Sequence, residues 1–163
     1  VIAVIAESDP REAAKLVSRL STEEAQGNAA AAIVWQWAGG DPQAASKWAA
    51  SFPEGKNRQQ AFDSLINRWT QSDPYGAGVW LGTLPQGESR DVAVASYTRR
   101  MVSSDPQSAA QWAATIGNQD LRDRQIESVV VSWMRADPAR ATAWLNTSSL
   151  PAETKARLLS QNK

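Results

Sequence analysis

Apolar and small side chains recur at fixed offsets after five Asp-Pro dipeptides, which begin at Asp9, Asp41, Asp73, Asp105 and Asp137, thirty-two residues apart each time. Offsets four, seven, eight and eleven hold Ala13, Leu16, Val17 and Leu20, then Ala45, Trp48, Ala49 and Phe52, then Ala77, Trp80, Leu81 and Leu84. Ala109, Trp112, Ala113 and Ile116 continue the series, and Ala141, Trp144 and Leu145 close it. This is the i, i+3, i+4, i+7 stripe of a helix with one buried face. A second stripe falls at offsets 21, 24, 25 and 28: Ala30, Ile33, Val34, Trp37; Phe62, Leu65, Ile66, Trp69; Val94, Tyr97, Thr98, Met101; Ile126, Val129, Val130, Trp133. No stretch sustains a period-two alternation, so the pattern predicts helices and no strands.

The residues between the stripes predict where the helices begin and end. Asp is a strong N-cap, and Pro suits the first helical position because its missing N–H would have no helical partner there. The first helix of each unit is expected to stop near offset eleven. Phe52-Pro53, Leu84-Pro85 and Leu150-Pro151 mark that stop, since a residue before Pro is pushed out of the α region. Gly55, Gly87 and Gly117 support a turn. Offsets five and nine are read as small in every copy (Ala14 and Ser18, Ser46 and Ala50, Gly78 and Gly82, Ala110 and Ala114, Thr142 and Asn146), which predicts close approach of neighbouring helices.

Each unit thus reads as an antiparallel helix-turn-helix, and a period of 20 to 50 residues is the signature of a solenoid. The expected fold is an all-α solenoid of about five such repeats in one helical-repeat domain spanning residues 1–163. Residues 1–8 align with residues 33–40, so they read as the end of a preceding repeat helix and the chain as a fragment of a longer protein. In the last copy Lys155, Arg157, Gln161, Asn162 and Lys163 supply the polar outer face that a terminal repeat needs.

Composition narrows the chemistry. The chain has no Cys and no His among its 163 residues. Disulfides, thiol nucleophiles, the usual imidazole base and the commonest transition-metal ligands are therefore excluded. Seventeen basic side chains balance seventeen acidic ones, so the net positive field of nucleic-acid binders is lacking. The apolar start, Val1 to Ala6, is too short to span a bilayer. No phosphate loop, metal motif or nucleophile elbow is present. The expectation is a chain without enzymatic activity, cofactor or metal, with no nucleic-acid partner and no membrane insertion. Absence of Cys suits cytoplasm and periplasm alike.

Seven of the eight Trp fall at two repeat positions, four residues before the Asp and seven after it. Trp37 with Trp48, Trp69 with Trp80, and Trp133 with Trp144 bracket Asp-Pro turns, and Met101 with Trp112 and Ile5 with Leu16 fill the same slots. Since aliphatic residues substitute there, the pairs read as packing that fastens one helix to the next. Trp35 is the exception: Ala3, Asn67, Arg99 and Val131 hold its position in the other copies. It is a candidate partner-binding anchor, set against the plain alternative of an isolated surface aromatic. Tyr75 is likewise unique at its offset. Arg58, Arg90 and Arg122 share offset seventeen. Such a ladder either hydrogen-bonds helix-end carbonyls and carboxylates of its own chain or grips acidic groups of a bound peptide.

The stretches of the form Asp-Pro-x-x-Ala-x-x-Trp, such as residues 41–48, resemble the junction between tetratricopeptide repeats, where Pro also precedes a helix bearing Trp. The resemblance covers about a third of each unit. The full pattern is also similar to Trp- and Asp-Pro-rich repeats of bacterial proteins. The tetratricopeptide resemblance implies a right-handed superhelix and a non-enzymatic scaffold that binds a protein or peptide on its concave face. Two alternatives stand beside it: a glycan- or cell-wall-binding solenoid, which requires several exposed Trp, and a structural spacer without ligand.

Overall fold

The computed structural model describes residues 2–160, with side chains from residue 4 onward; Val1, the Ala3 side chain and the expected capping residues Gln161, Asn162 and Lys163 lie outside the described residues. The described chain is all-α. Its helices are α1 (Ile2–Ser8), α2 (Pro10–Val17), α3 (Glu23–Ala38), α4 (Pro42–Ala50), α5 (Lys56–Ser72), α6 (Pro74–Thr83), α7 (Glu88–Met101), α8 (Pro106–Ala113), α9 (Gln119–Ala136), α10 (Pro138–Thr147) and α11 (Ala152–Ser160). Two compact units are present, Val1–Ser96 and Tyr97–Lys163.

The five Asp-Pro junctions share one geometry. At each, the Asp backbone N–H donates to the carbonyl four residues earlier: Ile5, Trp37, Trp69, Met101 and Trp133, at 2.7 to 2.9 Å. That bond completes the preceding helix. The same Asp sits at φ between −141° and −148° with ψ of 75° to 86°. The following Pro forces this extended backbone. From there the carboxylate turns back to accept N–H groups of the next helix: Glu12, Ala44, Gly76, Ser108 and Arg140, at 2.8 to 3.0 Å. The Asp carbonyl then accepts from the residue at offset four at 3.0 to 3.2 Å. That residue is Ala in every copy and is fully buried in all five. A larger side chain would have no room so close to the junction.

Both predicted stripes face inward. In the first unit Ile33, Val34, Phe62, Leu65, Ile66 and Leu81 are fully buried, each contributing about 1.5 to 3 kcal/mol by leaving water. In the second unit Ile126, Val129, Val130, Trp133 and Leu145 form a core with Leu158 of α11, closed by Met101, Trp144 and Leu150. Thr98 takes an apolar slot of the stripe; it is buried and satisfies its hydroxyl on Gln125 Oε1 at 3.0 Å.

The first helices end earlier than the stripe predicts. They stop between offsets eight and ten, leaving Leu20, Phe52, Leu84 and Ile116 in the turn that follows. Four of these ends carry a hydroxyl at offset ten, and the first, with Arg19 there, does not. Ser51, Thr83, Thr115 and Thr147 each donate to the carbonyl of the Trp three residues before, at 2.6 to 3.1 Å. The hydroxyl thus adds a local bond to a carbonyl of the last turn, which at Trp48, Trp112 and Trp144 also accepts a backbone N–H. The small residues also divide. Offset five is buried at Ser46, Gly78 and Ala110, whereas offset nine is exposed at Ser18, Ala50, Gly82, Ala114 and Asn146. Close packing accounts for the first position and not for the second.

Asp73→Ala is expected to cost about 1 kcal/mol of stability in urea denaturation, and Asp73→Asn to recover most of it. Equal stability of all three proteins would show that the side-chain cap contributes nothing.

Candidate functional site

The Trp pairs are packing elements. Trp37 with Trp48, Trp69 with Trp80, and Trp133 with Trp144 each place their ring centroids 6.1 Å apart, tilted by 36° to 45°. Phe52 meets Trp48 edge-on and Phe62 meets Trp80 edge-on, both at 5.0 Å. Where Met101 replaces the first Trp, Tyr97 reaches Trp112 instead at 5.7 Å. The seven junction Trp are buried or half-buried, and Trp35 is the most open of the eight at 36% exposure.

Trp35 stands in a groove between α3 and α5. These helices run side by side in the same direction. Gly27 near the start of α3 faces Asn57 and Gln60 near the start of α5, and an added Cβ there would lie 2.2 Å from Gln60 Oε1. Further along, the Ser64 hydroxyl donates to the Ala31 carbonyl at 2.7 Å. At the far end Arg68 lays its guanidinium over the Trp35 ring, 5.5 Å from the centroid. Gly39 leaves room for it, since a Cβ there would come within 2.8 Å of Arg68 Nη2.

The groove encloses about 610 Å³ and is lined on α3 by Asn28, Ala31 and Trp35. These lie at i, i+3 and i+7 and so share one ridge. The α5 wall is Lys56, Gln59, Gln60, Asp63, Ser64 and Asn67, with Val92 of α7 beyond. Asp63 is held in place: Ser96 Oγ donates to its Oδ1, and Asn67 Nδ2 donates to its Oδ2 at 3.1 Å. Gln59 Nε2 donates to Glu88 at 3.1 Å. The side-chain amides of Asn28 and Gln60, both exposed, make no hydrogen bond among the described residues. Each offers a donor pair and an acceptor to whatever enters.

Tyr75 lies elsewhere. It is 81% exposed at the start of α6 and lines a second cavity of about 590 Å³ between α4 and α6, with Lys47, Trp69, Val79 and Trp80. The two cavities share no residue.

The Arg ladder points its guanidinium groups into its own chain. Arg58 Nη1 pairs with Glu54 at 3.3 Å and its guanidinium covers the Phe62 ring at 5.1 Å. Arg90 is buried, and its Nη1 donates to Gln86 Oε1 at 3.3 Å. Arg122 Nη1 donates to the carbonyls of Ile116 at 2.8 Å and Gly117 at 3.3 Å. Each Arg ties the turn before a second helix to that helix.

Sequence reasoning passed over the groove amides, because offsets nineteen and twenty-six change identity from copy to copy. Asn28, Gln60 and Val92 share the first of these offsets, and Trp35 and Asn67 the second. The available signal was a polar ridge opposite the stripe on α3 and α5.

No protein-family model, curated protein or solved structure matches the chain. Among the described residues no helix is long and apolar enough to cross a membrane.

One titratable group reports on the turns. Glu54 lies below the usual glutamate range through Ser89, whose backbone N–H donates to it at 2.7 Å, and through the Arg58 guanidinium, against the opposing pull of partial burial. Its ordinary value is 4.5. With a depressed folded-state pKa, its contribution is fully present above that value and is lost as pH falls through the folded one. Glu54→Gln is therefore expected to be less stable than the parent at pH 7, with the gap in urea midpoint closing below about pH 4.5. A gap that stays constant down to pH 3 would contradict this.

Proposed function

We propose that the chain is a non-enzymatic, tetratricopeptide-like α-solenoid module that binds an extended protein or peptide segment in the α3–α5 groove. The observation that carries this reading is Trp35, exposed on a ridge with the uncommitted amide of Asn28 and opposite that of Gln60. Trp is a residue type enriched where a partner is anchored. An amide that both donates and accepts matches the peptide unit, which does the same. The solenoid part of the reading is supported by the shared geometry of the five junctions, and by α3 and α5 running in parallel with bonded residues thirty-three apart.

Arg58, Arg90 and Arg122 serve in this reading as latches for the inter-helix turns. Tyr75 belongs to a separate surface. A glycan-binding reading would rest on one exposed indole, and a spacer would need no groove.

The test is panning of a random dodecapeptide phage library against the immobilised chain, followed by fluorescence anisotropy with labelled copies of the enriched peptides. Trp35→Ala is expected to weaken binding at least tenfold in a variant whose fold is checked by circular dichroism. Failure to enrich any peptide, or equal binding by the folded variant, would overturn the reading.

A further inference from the structure

We infer that the segment this groove takes is cationic at one end and apolar at the other, about five residues apart; the inference rests on the peptide-binding reading above. The groove does not stop at its first cavity. A second, of about 340 Å³, continues it toward the helix starts and is lined by Glu23, Glu24, Lys56, Asn57 and Gln60. Lys56 and Gln60 border both cavities, so the two adjoin along the α3–α5 seam.

Charge is distributed unevenly along these two adjoining cavities. Glu23, Glu24 and Asp63 line it against the single ammonium of Lys56, although the whole chain is neutral. Neither Glu23 nor Glu24 is engaged in an ion pair, and both are exposed. Their place in the first turn of α3 suits the helix dipole in any case. What directs them at a ligand is the cavity they share with the amide of Gln60, with Trp35 at the other end. At that end the Arg68 guanidinium is stacked on the indole and donates to Gln71 Oε1 at 3.1 Å. The part of the Trp35 ring it leaves open is apolar.

The spacing follows from helix geometry. Glu24 and Trp35 are eleven residues apart on one helix, or about 17 Å at a rise of ~1.5 Å per residue. An extended segment covers that span in about five residues at ~3.3 Å each. A Lys or Arg over the Glu23–Glu24 end would thus stand about five residues from an aromatic or branched aliphatic side chain against Trp35. The peptide units between would face Asn28 and Gln60.

The peptides enriched from the dodecapeptide library decide this. The expected result is a Lys or Arg about five residues from an aromatic, Leu or Ile. A Glu23→Gln/Glu24→Gln double variant should weaken their binding about five- to tenfold, as exposed ion pairs do. Lys56→Gln should tighten it, which keeps the test decisive if the double variant folds poorly. Peptides that need Trp35 but show no basic preference, or bind both charge variants like the parent, would overturn the inference and leave the peptide-binding reading standing. If no peptide enriches, or binding ignores Trp35→Ala, both fall.

Discussion

The Asp-Pro junction is the constraint on which the helices depend. One residue completes the helix behind it through its N–H and starts the helix ahead through its carboxylate and carbonyl. Proline makes this possible, because it holds the Asp in extended backbone and adds no N–H that would need a partner. The chain reverses into a new helix with almost no loop. Short connections leave the partner helices little freedom in how they meet, so the residues flanking each junction must suit one another.

The aromatic pairs meet that demand. Three Trp pairs reach the same separation and similar tilts across three different junctions, with the following Ala buried beneath each. Packing of this kind consumes seven of the eight indoles. The eighth, Trp35, lies on the opposite ridge of α3, where no repeat position requires an aromatic. Its exposure is affordable because the junctions do not need it, and it is there that α3 and α5 leave a groove with uncommitted amides.

Much of this was legible in the sequence. The stripes could be read because burial on one face of a helix imposes its own period, and Ile33, Leu65, Val94 and Val129 all proved buried. The helix starts could be read because Asp and Pro each have one dominant use there. The helix ends were legible only to within one to three residues, because the apolar stripe runs on into the turn through Leu20, Phe52, Leu84 and Ile116. Small size alone misled at offset nine, where Ala50 and Gly82 are exposed rather than packed. Trp35 stood out as a departure from the repeat. Its companions Asn28 and Gln60 did not, because which side chains share a groove depends on the register of α3 against α5. That register is set by contacts such as Ser64 on Ala31.

The central claim is that the two Trp flanking three of the five junctions act as coupled pairs and not as separate hydrophobic side chains. The most direct measurement is a double-mutant cycle on Trp133→Leu and Trp144→Leu, by urea denaturation, with Leu keeping much of the buried volume. A coupling of about 0.5 to 1.5 kcal/mol between the two positions is the expected result. Effects that add to within about 0.3 kcal/mol would contradict the account and reduce the pairs to independent core residues.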